Sequence, residues 1–158
     1  MMGGAATAIG ASRGGGMAGD SGLRLRGSSV ALAGRGVLIT GDSGAGKSSL
    51  ALDLMALGAG LISDDWTLVQ PEAGRLLADA PASIRGQIEA RGIGILSSDP
   101  VGPLPLALVV ELGNDRGERL PPRRQVAIAG ISLPLVKASY QPHLGAALRQ
   151  LLIGGRLA

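Results

Sequence analysis

The chain has 158 residues, of which 27 are glycine, more than twice the average share of roughly 7%. Aromatic residues are limited to Trp66 and Tyr140, so any core must consist of Leu, Ile, Val and Ala. The length fits one domain. Because cysteine is absent, the sequence excludes disulfide bonds, thiolate metal sites and a cysteine nucleophile.

The charge pattern and the N-terminus exclude several classes of partner. The net charge is +3, and the adjacent Arg123 and Arg124 lack the stacking aromatics of a nucleic-acid surface. No apolar stretch approaches the length of a membrane span, and no signal peptide is visible, so we expect a cytoplasmic protein without membrane contact. Residues 1–22 are predicted to form a disordered, glycine-rich leader, with Met17 as an alternative start, and residues 23–158 to form the folded domain.

The first part of the domain predicts a hairpin, a glycine loop and a helix. Loosely alternating apolar residues at 23–32 turn into a buried strand at 37–40. After the glycine loop at 41–48, leucines recur at helical spacing at Leu50, Leu54 and Leu57. A strand, a loop and a helix therefore follow one another.

The remainder predicts short strands and a terminal helix. The strands are expected at 60–63, 66–69, 75–77, 105–112, 125–129 and 131–136. The segment 81–95 fits a helical turn followed by either a strand or a loop. From Pro142 onward, a helix would place four leucines on one face, namely Leu144, Leu148, Leu151 and Leu152. Trp66 is expected in the core, with contact to a docked protein as the alternative.

The glycine loop carries the strongest functional motif. Its sequence is Gly41-Asp42-Ser43-Gly44-Ala45-Gly46-Lys47-Ser48, which fits the phosphate-binding P-loop. In that motif backbone N–H groups surround phosphate oxygens, the lysine reaches the β- and γ-phosphates, and the hydroxyl binds Mg²⁺. One of only two lysines in the chain occupies the required position. The sequence therefore predicts ATP or GTP binding.

Candidate carboxylates lie at three further places. No Asn-Lys-x-Asp guanine reader is present, which leaves a small kinase or a nucleotide-binding regulator. Phosphoryl transfer requires a carboxylate to orient or deprotonate the acceptor hydroxyl. The candidates are the pair Asp64-Asp65, Glu89 and Glu111. Beside a P-loop, the aspartate pair is suited to proton transfer.

Three blocks resemble the C-terminal catalytic domain of the HPr kinase/phosphorylase family, whose members phosphorylate a serine of the phosphocarrier HPr. They are 36–48, 60–65 and the more specific block 88–95, Ile-Glu-Ala-Arg-Gly-Ile-Gly-Ile. The resemblance covers about residues 23–152 and implies that 23–158 is a P-loop catalytic domain. It implies an α/β fold of phosphoenolpyruvate-carboxykinase-like type with a mixed sheet. The chain is similar to short forms of the family that lack the N-terminal domain.

The resemblance also implies roles for single residues. Asp65 would accept the proton of the target serine, with Asp64 as its neighbour, and Ser48 and Glu89 would hold Mg²⁺. Lys47 and Arg91 would complete the catalytic set. ATP and Mg²⁺ are thus the expected cofactors and an HPr-like phosphocarrier the expected partner. Longer members are hexamers, which leaves homo-oligomer formation by this chain open.

This sequence departs from the family pattern at three positions. Arg26 stands where the family has a histidine, and an arginine can bind phosphate but cannot act as a base near neutral pH. Ser49 replaces an acidic residue. The segment 136–139, Val-Lys-Ala-Ser, replaces a basic loop tied to the reverse phosphorylase reaction, so reverse activity is not expected.

Three functions follow as hypotheses. The first is a protein-serine kinase acting on an HPr-like phosphocarrier in the regulation of carbohydrate metabolism or phosphotransfer signalling. The second is an ATP-sensing binding module that has lost catalysis, motivated by Arg26 and Ser49. The third is a small-molecule kinase, for which the segment 114–124 would serve as an arginine-bearing lid.

Overall fold

The computed structural model describes residues 6–8, 12–13, 22–115 and 117–158. Residues 6–8 and 12–13 of the predicted leader form two short strands that pair within the sheet, so the prediction of disorder does not hold for them. The rest of the leader up to residue 21 lies outside the described residues, and its disorder stays a prediction. Residue 116, within the candidate lid at 114–124, lies outside them as well.

Strands dominate the described part of the chain. They are β1 (Ala6–Ala8), β2 (Ser12–Arg13), β3 (Leu23–Arg26), β4 (Ser28–Leu32), β5 (Arg35–Gly41), β6 (Gly60–Ser63), β7 (Trp66–Glu72), β8 (Arg75–Asp79), β9 (Gln87–Ala90), β10 (Gly94–Ser97), β11 (Leu104–Leu112), β12 (Arg124–Ile128) and β13 (Ile131–Ala138). The two α-helices are α1 (Lys47–Ala56) and α2 (Leu144–Gly154), and a 3₁₀ turn spans Ala82–Ile84. The chain therefore forms a mixed α/β fold, as predicted.

The strand β11 is the centre of a curled mixed sheet of eleven strands. Its second half pairs in parallel with β5 on one side and with β13 on the other, whereas its first two residues pair antiparallel with β8. One branch continues through β4 and β6, and another through β7, β3 and β2. The carboxyl ends of the parallel strands β5, β11 and β13 consequently meet at one edge, where ligands bind in sheets of this kind.

Three pairs of consecutive strands form hairpins, the first of them at the predicted place. β4 with β5, β7 with β8, and β12 with β13 are antiparallel pairs joined by short turns. The segment that the sequence left open, 81–95, forms the 3₁₀ turn and then the first part of a separate hairpin made by β9 and β10. Its turn lies at 91–93.

Two apolar clusters fill the two sides of the sheet. The first packs Leu50 and Leu54 of α1 and Leu148 of α2 against the sheet. The second lies on the opposite side and contains Leu38, Val69 and other strand residues. All of the buried hydrophobic residues described are Leu, Ile, Val or Ala, which confirms the expected core composition.

Three local expectations were wrong. Leu57 caps α1 and is exposed, because the helix ends at Ala56, before Gly58. The last helix begins at Leu144, since Pro142 lies in the turn that precedes it. Trp66 lies outside both core clusters, because its strand begins at the edge of a surface cleft.

None of the helices that the structure describes is long and apolar enough to span a membrane.

Candidate active site at the phosphate loop

The phosphate loop connects the carboxyl end of β5 to the first turn of α1. Gly41, Gly44 and Gly46 all have positive φ angles, which glycine adopts without strain. A Cβ atom on Gly41 would lie 2.5 Å from the carbonyl oxygen of Leu112. The motif glycines are therefore required by backbone geometry as well as by the space that phosphate oxygens need.

Lys47 is the first residue of α1 and is only 9% exposed. Its ammonium group donates hydrogen bonds to the carbonyl oxygens of Gly41, at 2.8 Å, and Asp42, at 3.0 Å. The Lys47 side chain thus folds back over the phosphate loop, and its positive charge lies beside the loop. Together with the positive end of the helix dipole, this charge suits the loop to phosphate.

Asp64 joins three elements at the base of the site. The carboxylate is nearly buried, with 8% of the residue exposed. Its Oδ1 accepts hydrogen bonds from the hydroxyls of Ser28, at 2.7 Å, and Ser48, at 2.8 Å, while Oδ2 accepts one from the backbone N–H of Glu89, at 3.0 Å. Asp64 therefore links the phosphate-loop helix to β4 and β9.

Asp65 has the opposite environment. Its side chain is 50% exposed, and Oδ1 accepts a hydrogen bond from Nε of Arg26 at 2.9 Å. The backbone has a φ of +67°, a conformation in which aspartate is among the better tolerated residues. This conformation is held by a 2.7 Å bond from the N–H of Gly27 to the Asp65 carbonyl and by a 3.2 Å bond from the Asp65 N–H to Ser28 Oγ.

A cleft of about 210 Å³, here called the aspartate cleft, lies between these residues and the phosphate loop. Its wall brings together most of the residues that the sequence singled out as catalytic or metal-binding: Lys47, Ser48, Asp65, Glu89 and Arg91. Asp64 lines an adjoining part of about 350 Å³ that also includes Trp66 and Ile84. Residues separated by more than forty positions in the sequence thus face one space.

The donor set fits a magnesium ion better than a softer metal. The Ser48 hydroxyl and the carboxylates of Asp64 and Glu89 are all oxygen donors, which is the ligand type that Mg²⁺ prefers. No cluster of three or more His, Cys, Asp or Glu side chains suited to a metal occurs in the described residues. Mg²⁺ is usually held by one or two carboxylates together with substrate phosphates and water.

Glu111 is not part of this arrangement. Its carboxylate lies 3.9 Å from Nζ of Lys137 across the parallel pair β11 and β13. Neither part of the aspartate cleft includes it. The third acidic candidate therefore belongs to an exposed ion pair on the sheet.

Sequence reasoning missed the packing of arginine on Trp66. The guanidinium carbon of Arg24 lies 4.1 Å from the centre of the Trp66 ring, and that of Arg26 lies 5.0 Å from it. Both arginines come from β3, which pairs with β7 so that Arg26 faces Trp66. Alternation along β3 placed the two arginines on one face, but their partner became visible only in the folded chain.

Residues 21–100 match the family described as "HPr Serine kinase C-terminal domain". The chain belongs to this family. The match to the HPr serine kinase domain spans the phosphate loop, the aspartate pair and the segment from Glu89 to Arg91, which together form the aspartate cleft.

Curated relatives agree with this assignment. The HPr kinase/phosphorylase of Azoarcus sp. (strain BH72) is 38% identical over 128 residues, which are 72% of this chain and 41% of the relative. That of Clostridium botulinum (strain Eklund 17B / Type B) is 45% identical over 73 residues, 46% of this chain and 24% of the relative. The chain therefore matches between about a quarter and two fifths of these relatives' length.

A solved structure has a similar fold. The Hpr(Ser) kinase/phosphatase from Coxiella burnetii superimposes with a TM-score of 0.72 at 26% sequence identity. The superposition covers 82% of this chain and 93% of that one. The curled mixed sheet described above is thus shared with a member of the HPr kinase family.

Proposed function

We propose that this chain is an ATP-dependent protein-serine kinase that phosphorylates an HPr-like phosphocarrier protein. Its role would be the regulation of carbohydrate metabolism or of phosphotransfer signalling, in the cytoplasm, where ATP is available. The observation that carries the proposal is the joining of the phosphate loop, Ser48 and the exposed Asp65 in one cleft. Membership of the HPr serine kinase family supports the choice of acceptor.

The donor nucleotide binds through the loop from Gly41 to Ser48. Backbone N–H groups of the loop and the ammonium of Lys47 hold its phosphates, and in our proposal the fold is of the phosphoenolpyruvate-carboxykinase-like P-loop type. The carbonyl contacts of Lys47 keep its charge beside the loop, so little rearrangement is needed to reach a phosphate oxygen.

Ser48 and Glu89 would hold Mg²⁺, and Asp64 orients the Ser48 hydroxyl through their 2.8 Å bond. A bound magnesium ion would neutralise charge on the β- and γ-phosphates. Asp64 also accepts a hydrogen bond from the backbone N–H of Glu89, so the same buried carboxylate positions the Ser48 hydroxyl and the Glu89 backbone.

Asp65 acts as the general base. The serine oxygen of the acceptor bonds to the γ-phosphorus, the bond from that phosphorus to the bridging oxygen of ADP breaks, and the hydroxyl proton passes to the Asp65 carboxylate. Arg91 and Arg26 line the same cleft and supply positive charge for the transferred phosphoryl group. Because the segment 136–139 has a single basic residue, Lys137, paired with Glu111, we propose transfer in the forward direction only.

The surroundings of the cleft favour a protein acceptor over a small molecule. Ile93 and Ile95, on the hairpin of β9 and β10, are 78% and 64% exposed. Ile95 lines the cleft together with Trp66 and Asp65. An exposed apolar rim beside a reactive carboxylate suits a surface that a protein partner covers.

Incubation with γ-labelled ATP, Mg²⁺ and the HPr-like protein of the same cell tests the proposal. We expect label on a serine of the acceptor, lost in both Lys47→Ala and Asp65→Asn. Asp65→Asn should still bind ATP, whereas Lys47→Ala should bind it weakly. An acceptor that stays unlabelled with the wild-type chain would contradict the proposal, and so would undiminished transfer by Asp65→Asn.

One observation favours a second candidate, an ATP-sensing module without catalysis. Nε of Arg26 donates a 2.9 Å hydrogen bond to the carboxylate of Asp65, the proposed base. The resemblance implies a histidine at position 26. This alternative predicts tight ATP binding, lost in Lys47→Ala, with no transfer to any acceptor. Transfer by the wild-type chain decides between the two. If it is zero, a gain of transfer in Arg26→His would show that the arginine alone had silenced the site.

A further inference from the structure

A second cleft lies on the other side of the phosphate loop. It has a volume of about 580 Å³ and is here called the tyrosine cleft. Its walls are the loop residues 42–46 together with Gly113, Asn114, Ser139 and Tyr140. Because these residues follow β11 and β13, the cleft lies outside the carboxyl ends of parallel strands, where nucleotides bind in α/β sheets.

The walls of the tyrosine cleft are tied together by hydrogen bonds. The N–H of Gly113 donates to the carbonyl of Ala138 at 2.9 Å, and the Ser139 hydroxyl donates to the carbonyl of Asp115 at 2.6 Å. The loop after β11 and the segment after β13 therefore form one continuous wall. A cleft of this volume is within the range of small-molecule sites.

Tyr140 joins this wall to the phosphate loop and α1. Its hydroxyl donates a 2.7 Å hydrogen bond to Asp53 Oδ2 on α1. Its side chain packs on Gly46 so closely that a Cβ atom there would lie 2.9 Å from the Tyr140 Cβ and 3.0 Å from its Cγ. Tyr140 thus lies at the border of the cleft, packed on Gly46 and hydrogen-bonded through its hydroxyl to Asp53.

The linings of the two clefts differ in charge. The aspartate cleft holds the carboxylates and arginines needed at the γ-phosphate end. The lining of the tyrosine cleft carries one charged side chain, that of Asp42, besides an amide, hydroxyls and an aromatic ring. Such a lining suits a neutral base and a ribose rather than phosphate.

We infer that the tyrosine cleft binds the nucleoside of the donor nucleotide, with the Tyr140 ring as the surface against which the base packs. The inference rests on the proposed function, since it assumes that the loop binds a nucleoside triphosphate. It assigns to Tyr140 a contact with the base, beyond the phosphate contacts of the loop.

Binding of MgATP and of magnesium tripolyphosphate, which lacks a nucleoside, tests the inference. For Tyr140→Ala we expect about tenfold weaker ATP binding, in line with the usual value of a stacked base, and tripolyphosphate binding within about twofold of wild type. Tyr140→Phe keeps the ring and should lose little affinity for either ligand. Ile153→Ala, an exposed residue of α2, is the matched control.

A measurement on the unaltered protein covers the case in which Tyr140→Ala does not fold. Tyr140 is the single tyrosine of the chain, so protein labelled with ¹³C-tyrosine gives the ring signals of this residue alone. Saturation with MgATP should shift those signals strongly, and tripolyphosphate should shift them much less.

The outcomes separate this inference from the proposed function. The nucleoside site would be overturned by any of three results: an equal loss of affinity for both ligands in Tyr140→Ala, unchanged ATP affinity in that variant, or ring signals that do not respond to ATP. Each of these results would still leave a working phosphate loop. A wild-type chain that binds neither ligand would overturn both proposals.

Discussion

At the scale of single residues, the adjacent aspartates differ most in their environments. Asp64 is nearly buried and accepts three hydrogen bonds, whereas Asp65 is half exposed and accepts one from an exposed arginine. A buried hydroxyl or N–H that loses its acceptor is left desolvated without a hydrogen bond, which destabilises the fold. An exposed ion pair contributes little to the free energy of unfolding. One carboxylate thus organises the site and the other remains available for chemistry.

This contrast gives a prediction for matched variants. Asp64→Ala should lower the free energy of unfolding by about 3 kcal/mol, because Ser28 and the N–H of Glu89 lose a charged acceptor. Asp65→Asn, which keeps a residue type tolerated at the positive φ of this position, should lower it by less than about 1 kcal/mol and yet abolish transfer. Urea denaturation followed by circular dichroism measures both. Equal destabilisation by the two substitutions would contradict the assignment.

Tyr140 provides a second prediction, on pH dependence. The hydrogen bond to Asp53, assisted by burial and by the carboxylate charge, raises the pKa of Tyr140 above its ordinary 10.0. Because the folded state binds this proton more tightly, the bond's contribution to stability is complete below pH 10.0 and is lost as the pH rises through the folded pKa. The absorbance of the single tyrosine should therefore titrate above pH 10, and Asp53→Ala should return its midpoint toward the ordinary value.

At the scale of elements, the phosphate loop depends on the close approach of β5 and β11. Gly41 pairs with Leu112, whose carbonyl oxygen a Cβ atom on Gly41 would meet at 2.5 Å. Gly41→Ala should cost about 2 kcal/mol or more, from this clash and from the positive φ of 143°. Gly113→Ala, at a position with open space, should stay within about 0.5 kcal/mol of wild type. Denaturant midpoints at constant m-value compare the two.

The hairpin of β9 and β10 gives the functional prediction at this scale. Since Ile95 is exposed, Ile95→Ser should leave stability nearly unchanged. It should raise the KM for the protein acceptor about tenfold, the effect of losing one apolar interface contact, with the KM for ATP unaltered. Ile153→Ser, on α2, should change neither constant. Steady-state kinetics with both substrates test this, and a small-molecule kinase would show no dependence on Ile95.

At the scale of the whole molecule, the sheet separates two aliphatic cores that contain no aromatic residue. Ile39 belongs to one core and Ile128 to the other, and two strands of the sheet lie between their own strands. Ile39→Val and Ile128→Val should each cost about 0.5–1.5 kcal/mol. The double variant should lose their sum within about 0.5 kcal/mol in a single unfolding transition. Two transitions, or a large departure from additivity, would contradict one cooperative fold.

Local patterns in the sequence were sufficient for the phosphate loop, its flanking strand and helix, the aspartate pair and most hairpins. Each is encoded by residues close together in the chain, through glycine spacing, turn residues or apolar periodicity. For the same reason the family resemblance could be identified from three contiguous blocks, and the family match at 21–100 covers all three.

The tertiary structure alone decided which carboxylate is buried, which arginines pack on Trp66, and where Tyr140 lies. These contacts join residues far apart, with 39 positions between Arg26 and Asp65 and 87 between Tyr140 and Asp53. Periodicity and motif spacing report only on neighbours along the chain, whereas such pairs depend on strand order in the sheet. The glycine spacing and the lysine of the phosphate-loop motif are written in consecutive residues and could be identified without the fold. The residues on either side of that loop come from distant strands, so the arrangement of strands around β11 placed them there.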